Sequence, residues 1–125
     1  MTREELTERF RQFSLRIIKM VDTMPNTISG TAIARQIVRS GTSPAANYRA
    51  ACLAKSDKDF LNKLKMVEEE LDETSHWIEL IGESGIMKAD KLSSLLDENI
   101  ELLKIIVSSI VTTKKKMLTN EISRI

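Results

Sequence analysis

From Phe60 to Ile81 the core-type positions fall four and three residues apart without a break: Phe60, Leu64, Val67, Leu71, Thr74, Ile78 and Ile81. That spacing lays one stripe along one face of an α-helix and fits no strand, whose faces alternate every second residue. Two more segments repeat it. Leu6, Phe10, Phe13, Ile17, Met20 and Met24 form the first seam; Leu92, Leu96, Asn99, Leu103, Ile106, Ile110, Thr113 and Met117 form the last. A helix with one apolar stripe is stable only against other helices, so a bundle is required. Composition agrees: four glycines, two prolines and 4% aromatic residues in 125 residues leave an all-β fold without its turns and its packing residues.

The boundaries follow from the punctuation. The first helix is expected from Arg3 to Thr23, stopped by Pro25, because the residue before a proline avoids the helical region. The second is expected from Ile28 to Ala54, with Thr27 or Ser29 as its cap. Its inner face is built from small residues: after Ile33 and Ile37 come Ser40, Gly41, Ala45, Ala46, Ala50, Ala51 and Ala54. Pro44 lies inside it and lacks an amide donor, which predicts a kink near Ser40 to Pro44. The third starts at Ser56, where Ser56-Asp57-Lys58-Asp59 reads as a capping box with Asp for Glu, and closes at Gly82 and Gly85. The fourth is expected from Lys88 to Met117, with Leu118 to Ile125 frayed. Short connections force neighbouring helices antiparallel. The expected fold is all-α: a single domain over residues 1–125, an up-down-up-down four-helix bundle with a kinked second helix.

One seam per helix is enough for such a bundle, and this chain has more. On the last helix Ile100, Leu102, Ile105, Val107 and Val111 lie off the seam; Leu15 and Ile18 do so on the first, and Met66, Trp77 and Leu80 on the third. Apolar surface beyond what a bundle can hide marks an interface. The five residues of the last helix are therefore expected to face a second copy of the chain.

Charge is segregated although the total is only +1. Residues 27–56 carry Arg35, Arg39, Arg49 and Lys55 and no acid, whereas residues 57–83 carry nine acids against three lysines. In a tight hairpin of the second and third helices, levels match where residue numbers sum to about 112, given equal rise along both helices. Arg39 then meets Glu70 or Glu73. Charges that answer one another across helices are one reading of the segregation; an acidic docking face for a basic partner is the other.

Little here resembles catalytic machinery. Glu73-Thr74-Ser75-His76 spells the E-x-x-H of di-iron bundles, but such a site takes the motif on two helices, and His76 is the single histidine. Cys52 among alanines reads as a small packed residue. No metal, cofactor or catalytic residue is expected. The first residues lack the apolar run of a secretory signal, and no stretch is long and apolar enough to span a bilayer, so a cytoplasmic location is expected. The basic residues Arg3, Arg9, Arg11, Lys55, Lys114, Lys115 and Lys116 gather toward one end of the bundle, where the last helix finishes beside the first helix's start. They are the candidates for nucleic-acid phosphates, although Lys114 to Lys116 also suit a helix C-terminus. With few aromatics for stacking, such contact would be electrostatic and weakly sequence-selective.

The stretch Arg39-Ser40-Gly41-Thr42-Ser43-Pro44-Ala45-Ala46-Asn47-Tyr48-Arg49-Ala50-Ala51 is distinctive, and Ser56, Phe60, Glu69-Glu70, Asp72-Glu73 and Trp77 follow it in order. Over roughly Phe10 to Met117 the chain resembles the 23S rRNA intervening-sequence protein family. It departs from the family pattern at Pro44 and Ala45, where an aliphatic residue and a glycine are common. The resemblance implies a non-enzymatic four-helix bundle that forms a ring-shaped homopentamer and associates with RNA or a nucleoprotein. It also implies kinship with the accessory variability proteins of diversity-generating retroelements, which bind reverse transcriptase and nucleic acid. Those relatives are more basic than this chain. A protein-interaction scaffold without nucleic-acid contact is the alternative. Arg39, Ser40, Gly41, Thr42, Ser43, Asn47, Tyr48, Arg49, Glu69, Glu70, Glu73 and Trp77 carry the family motif.

Overall fold

Each of the first three helices begins on a hydroxyl that accepts from the amide three residues on. Thr2 Oγ1 accepts from Glu5 N at 3.1 Å, Thr27 Oγ1 from Gly30 N at 3.0 Å and Ser56 Oγ from Asp59 N at 3.1 Å. A cap of this kind contributes about 1 kcal/mol, and here it fixes where each helix enters the bundle. The computed structural model describes all 125 residues. They form α1 (Arg3–Asp22), α2 (Ile28–Cys52), α3 (Asp57–Glu83) and α4 (Ser93–Ser123), with one 3-10 turn, Ala89–Lys91, leading into α4. Gly85, at φ +78°, makes the turn after α3, a conformation that L side chains rarely adopt. The helices pack in ring order, α1 on α2, α2 on α3, α3 on α4 and α4 back on α1, and the backbones do not approach closely across either diagonal. This is the antiparallel four-helix bundle that the seams require.

The core is drawn from those seams. Leu6, Phe10, Phe13 and Ile17 of α1 and Leu64, Val67, Leu71, Thr74, Ile78 and Ile81 of α3 are buried. On α3 the first seam position is shifted by one: Leu61 is buried and Phe60 half-buried. A one-residue shift in the other direction occurs twice on α4, where Leu95 and Leu102 take the core positions expected for Leu96 and Leu103. A helix apolar nearly all round carries two adjacent stripes, and only its neighbours choose between them. α4 also continues helical to Ser123, so the expected fraying from Leu118 is corrected. The Lys116 ammonium reaches Asp57 at 3.3 Å, level with the first turn of α3, so the last two turns of α4 run past the end of the bundle.

α2 is one uninterrupted helix through Pro44. The ring leaves the Ser40 carbonyl without its helical amide. Gly30, Ile37, Ser40, Gly41, Pro44, Tyr48 and Ala51 are its buried residues. A Cβ on Gly41 would lie 2.8 Å from Ile17 Cγ1 and 2.9 Å from Ile17 Cδ1 and Cγ2. That glycine therefore sets how closely α2 approaches α1.

Candidate functional site

The family-motif residues lie on both contacts of α2, with α3 and with α1, and on its outer face. Arg39 bridges two acids of α3: Nη1 lies 2.9 Å from Glu70 Oε2, and Nη2 is in contact with Glu73 Oε2. Trp77 Nε1 donates to the same Glu73 oxygen at 3.0 Å. Together the indole and the guanidinium hold the Glu73 carboxyl below the usual carboxylate range, the indole hydrogen bond being the larger cause. The expected pairing of Arg39 is present, but on the surface of the protomer: the Arg39 side chain is 49% exposed, Glu70 23% and Glu73 35%. Glu69 faces solvent and takes no part.

Beneath this cluster runs a buried polar layer. The Thr74 hydroxyl lies 2.8 Å from the Glu70 carbonyl and 3.0 Å from the Ser40 hydroxyl, both Thr74 and Ser40 being fully buried. With one proton each, Thr74 donates to the carbonyl and Ser40 donates to Thr74. Across the core, Asn99 Nδ2 donates to the Leu71 carbonyl at 2.9 Å and to Ser75 Oγ at 2.7 Å, while its Oδ1 has no partner. Thr42 returns its hydroxyl to the Val38 carbonyl at 2.6 Å, and Asn47 Nδ2 donates to Ser43 Oγ at 3.1 Å. Arg49 is exposed. The motif is thus largely an instruction for packing α2 on α3 and, through Gly41 and Tyr48, on α1.

The opposite contact, α1 with α4, is the sparsest in the bundle. Its side-chain hydrogen bonds are polar bridges near its middle and upper levels. Arg9 grips Glu98 with both arms, Nε to Oε2 at 2.8 Å and Nη2 to Oε1 at 2.7 Å, and Arg16 Nη2 reaches Ser94 Oγ at 3.0 Å. Below them the seam opens into a cleft of about 690 Å3, bounded by the start of α1, the α2–α3 turn and the stretch of α4 from Ile105 to Lys116. Arg3, Lys55 and Lys116 line it, together with Tyr48 and four α4 hydroxyl residues, Ser108, Ser109, Thr112 and Thr113. Burial pushes the Tyr48 phenol up to about 12, with the neighbouring Cys52 adding to the effect, so the group stays a hydrogen-bond donor at neutral pH.

The seven basic candidates therefore separate. Arg3, Lys55 and Lys116 share the cleft, Arg9 is engaged by Glu98, and Arg11, Lys114 and Lys115 are exposed outside it. The five residues expected at an interface separate too. Leu102 is fully buried in the protomer, which corrects its placement; Ile105 is half-buried and lines the cleft, and Ile100, Val107 and Val111 are exposed. With Leu118 and Ile122, also exposed, they continue one stripe at spacings of seven and four. Two contributors escaped the sequence reading, Glu98 as the partner of Arg9 and the hydroxyl face of α4. The latter has a signal, the doublets Ser108-Ser109 and Thr112-Thr113 one helical turn apart. His76 lies edge-on to Trp77, ring centroids 4.9 Å apart, and no group of three or more His, Cys, Asp or Glu side chains converges to hold a metal. No helix is long and apolar enough to cross a membrane.

The profile of the 23S rRNA-intervening sequence protein family matches residues 4–108. The chain belongs to that family. A solved structure agrees: a protein of unknown function of the S23 ribosomal protein family from Bacteroides thetaiotaomicron. It is 31% identical, with a TM-score of 0.82, over 88% of this chain and 98% of that one. No curated protein matches. The intervening-sequence protein family match ends at residue 108, so the second hydroxyl doublet, the lysine run and the projecting end of α4 lie beyond the matched segment.

Proposed function

We propose that this intervening-sequence family protein is a non-catalytic building block that self-associates through the outer stripe of α4 and works in the cytoplasm on RNA or a ribonucleoprotein. The observation that carries the reading is that stripe. Ile100, Val107 and Val111 lie exposed on one helix face, Val111 at 47%, after the bundle has filled its own core. Contiguous apolar surface of this kind is covered in a stable assembly. A closed ring needs a heterologous, head-to-tail contact, and a ring of five fits the family resemblance. The family's description, a 23S rRNA-intervening sequence protein, supports RNA as the partner class.

Light scattering at micromolar concentration tests the assembly. A mass several times 14.2 kDa is expected, and a clean monomer would overturn the reading. Val107→Glu with Val111→Glu should give a folded monomer, whereas Ile105→Ala should leave the mass unchanged. Retention on RNA that falls steeply with salt tests the partner class, because phosphate binding releases counterions.

A second reading has its own support. Glu68, Glu69, Asp72, Glu79 and Glu83 of α3 enter no ion pair within the protomer. An acidic face of this kind suits a basic protein partner, as in a reverse-transcriptase accessory-like scaffold. Binding to a basic protein with no RNA retention at any salt would favour it.

A further inference from the structure

The cleft between α1 and α4 is chemically unlike the rest of the surface. Its volume, about 690 Å3, is in the range of pockets that take small organic groups, about 300–1,000 Å3. Asp57 is the one acid among its lining residues, and Lys116 holds it at 3.3 Å. Arg3 and Lys55 have no carboxylate partner in the protomer. The cleft therefore presents three cations against one anion. On the α4 wall the Thr113 hydroxyl is spent on the Ser109 carbonyl at 2.7 Å, while the side chains of Ser108 and Thr112 make no hydrogen bond within the protein. Tyr48 lines the same space at 4% exposure, with its phenol beside the Cys52 thiol. Two cations without carboxylate partners and two free hydroxyls on facing walls suit a ligand that accepts and donates hydrogen bonds and carries negative charge.

The aromatic residues narrow the class. The Arg3 guanidinium covers the Phe60 ring at 4.8 Å, and Tyr48 packs against Phe10 with centroids 5.2 Å apart. One face of each ring is thus already engaged, which leaves little aromatic surface for base stacking and favours recognition of the backbone. We propose that the cleft binds the ribose-phosphate backbone of single-stranded RNA, with Arg3, Lys55 and Lys116 facing phosphate oxygens and Ser108 and Thr112 facing the ribose 2′-hydroxyl. The proposal rests on the RNA-association reading and names the surface that performs it. The 2′-hydroxyl is the group by which a protein separates RNA from DNA, and neutral side-chain hydroxyls are its natural partners.

Fluorescence anisotropy of the full-length protein tests this, with one labelled single-stranded RNA and the DNA of the same sequence, each over a salt series. RNA should bind about tenfold tighter than DNA, the net worth of about one solvent-accessible hydrogen bond to the 2′-hydroxyl. Ser108→Ala with Thr112→Val should bring RNA down to the DNA level and leave the salt slope unchanged. Lys55→Ala should weaken both and reduce the slope of log K against log salt by about 0.7, one single-strand phosphate contact. Lys88→Ala, at the other end of the bundle, should change nothing, and unchanged circular dichroism checks the fold of each variant. RNA bound equally by wild type and cleft variants would overturn the cleft and leave RNA association standing. Equal affinity of wild type for RNA and DNA would overturn the 2′-hydroxyl assignment. Wild type that binds no RNA at low salt would remove both readings.

Discussion

The two sides of the bundle are closed by different means. Where α2 meets its neighbours the chain uses glycine, serine and alanine. Gly41 leaves no room for a Cβ against Ile17, Ser40 shares a hydrogen bond with Thr74, and Arg39 ties Glu70 and Glu73 on the outside. Where α1 meets α4 the chain uses long polar bridges, Arg9 to Glu98 and Arg16 to Ser94, and the helices stand apart far enough to leave a cleft. Small side chains bring backbones together and exclude ligand space. Bridging side chains hold helices in register at a distance and leave groups free for a ligand. The tight side is therefore the scaffold, and the open side is where a partner can still be accommodated.

The sharpest challenge to this contrast is Gly41→Leu. Overpacking costs about 1–3 kcal/mol, and the contact with Ile17 puts this site at the upper end. A fall of about 10 °C in melting temperature is expected; an unchanged value would mean that the α1–α2 approach is not set by the glycine. Asn99→Leu should act in the opposite direction. Its Oδ1 is buried without a partner, and replacing an imperfectly satisfied polar group by an apolar one of similar volume should be neutral or stabilise by about 1–2 kcal/mol. A loss of stability would show that the bonds to Leu71 and Ser75 outweigh that orphan oxygen.

Arg39→Ala sharpens the comparison from outside. Its partners are exposed enough that water screens them, so the expected loss is about 1 kcal/mol, measured by urea unfolding of the monomeric Val107→Glu/Val111→Glu variant. A loss near 3 kcal/mol in the wild-type assembly but not in that monomer would place the cluster under a neighbouring copy. The smallest effect is at Glu73. Its carboxyl is held below the usual range in the folded protein, so its contribution is complete above the unfolded carboxylate pKa and fades as pH falls through the lower, folded value. Glu73→Gln should flatten the stability profile on the acid side of about pH 4.5 and leave the slope near neutrality unchanged.

Much of the fold was legible because its signals are local. Seam spacing, the caps at Thr27 and Ser56 and the turn at Gly85 depend on neighbours along the chain. Hairpin arithmetic placed Arg39 beside Glu73 because a short turn leaves little freedom of register. α4 was the weak point. Leu95 and Leu96 are both leucines, as are Leu102 and Leu103, and periodicity alone cannot say which faces inward. For the same reason Leu102 read as interface and lies in the core.

The sequence by itself determined the class of fold, the order and approximate limits of the helices, the small-residue face of α2 and the partner of Arg39. Each follows from spacing on a single helix or across one tight turn. Only the tertiary structure decided which stripe of α4 is core and which is left outside, that Arg9 belongs to Glu98, and that Arg3, Lys55, Lys116 and the hydroxyls of α4 share one cleft. These are relations between the first and last helices, and no local rule connects residues so far apart in the chain. They come into being only when α2 and α3 have packed and the ring of helices closes.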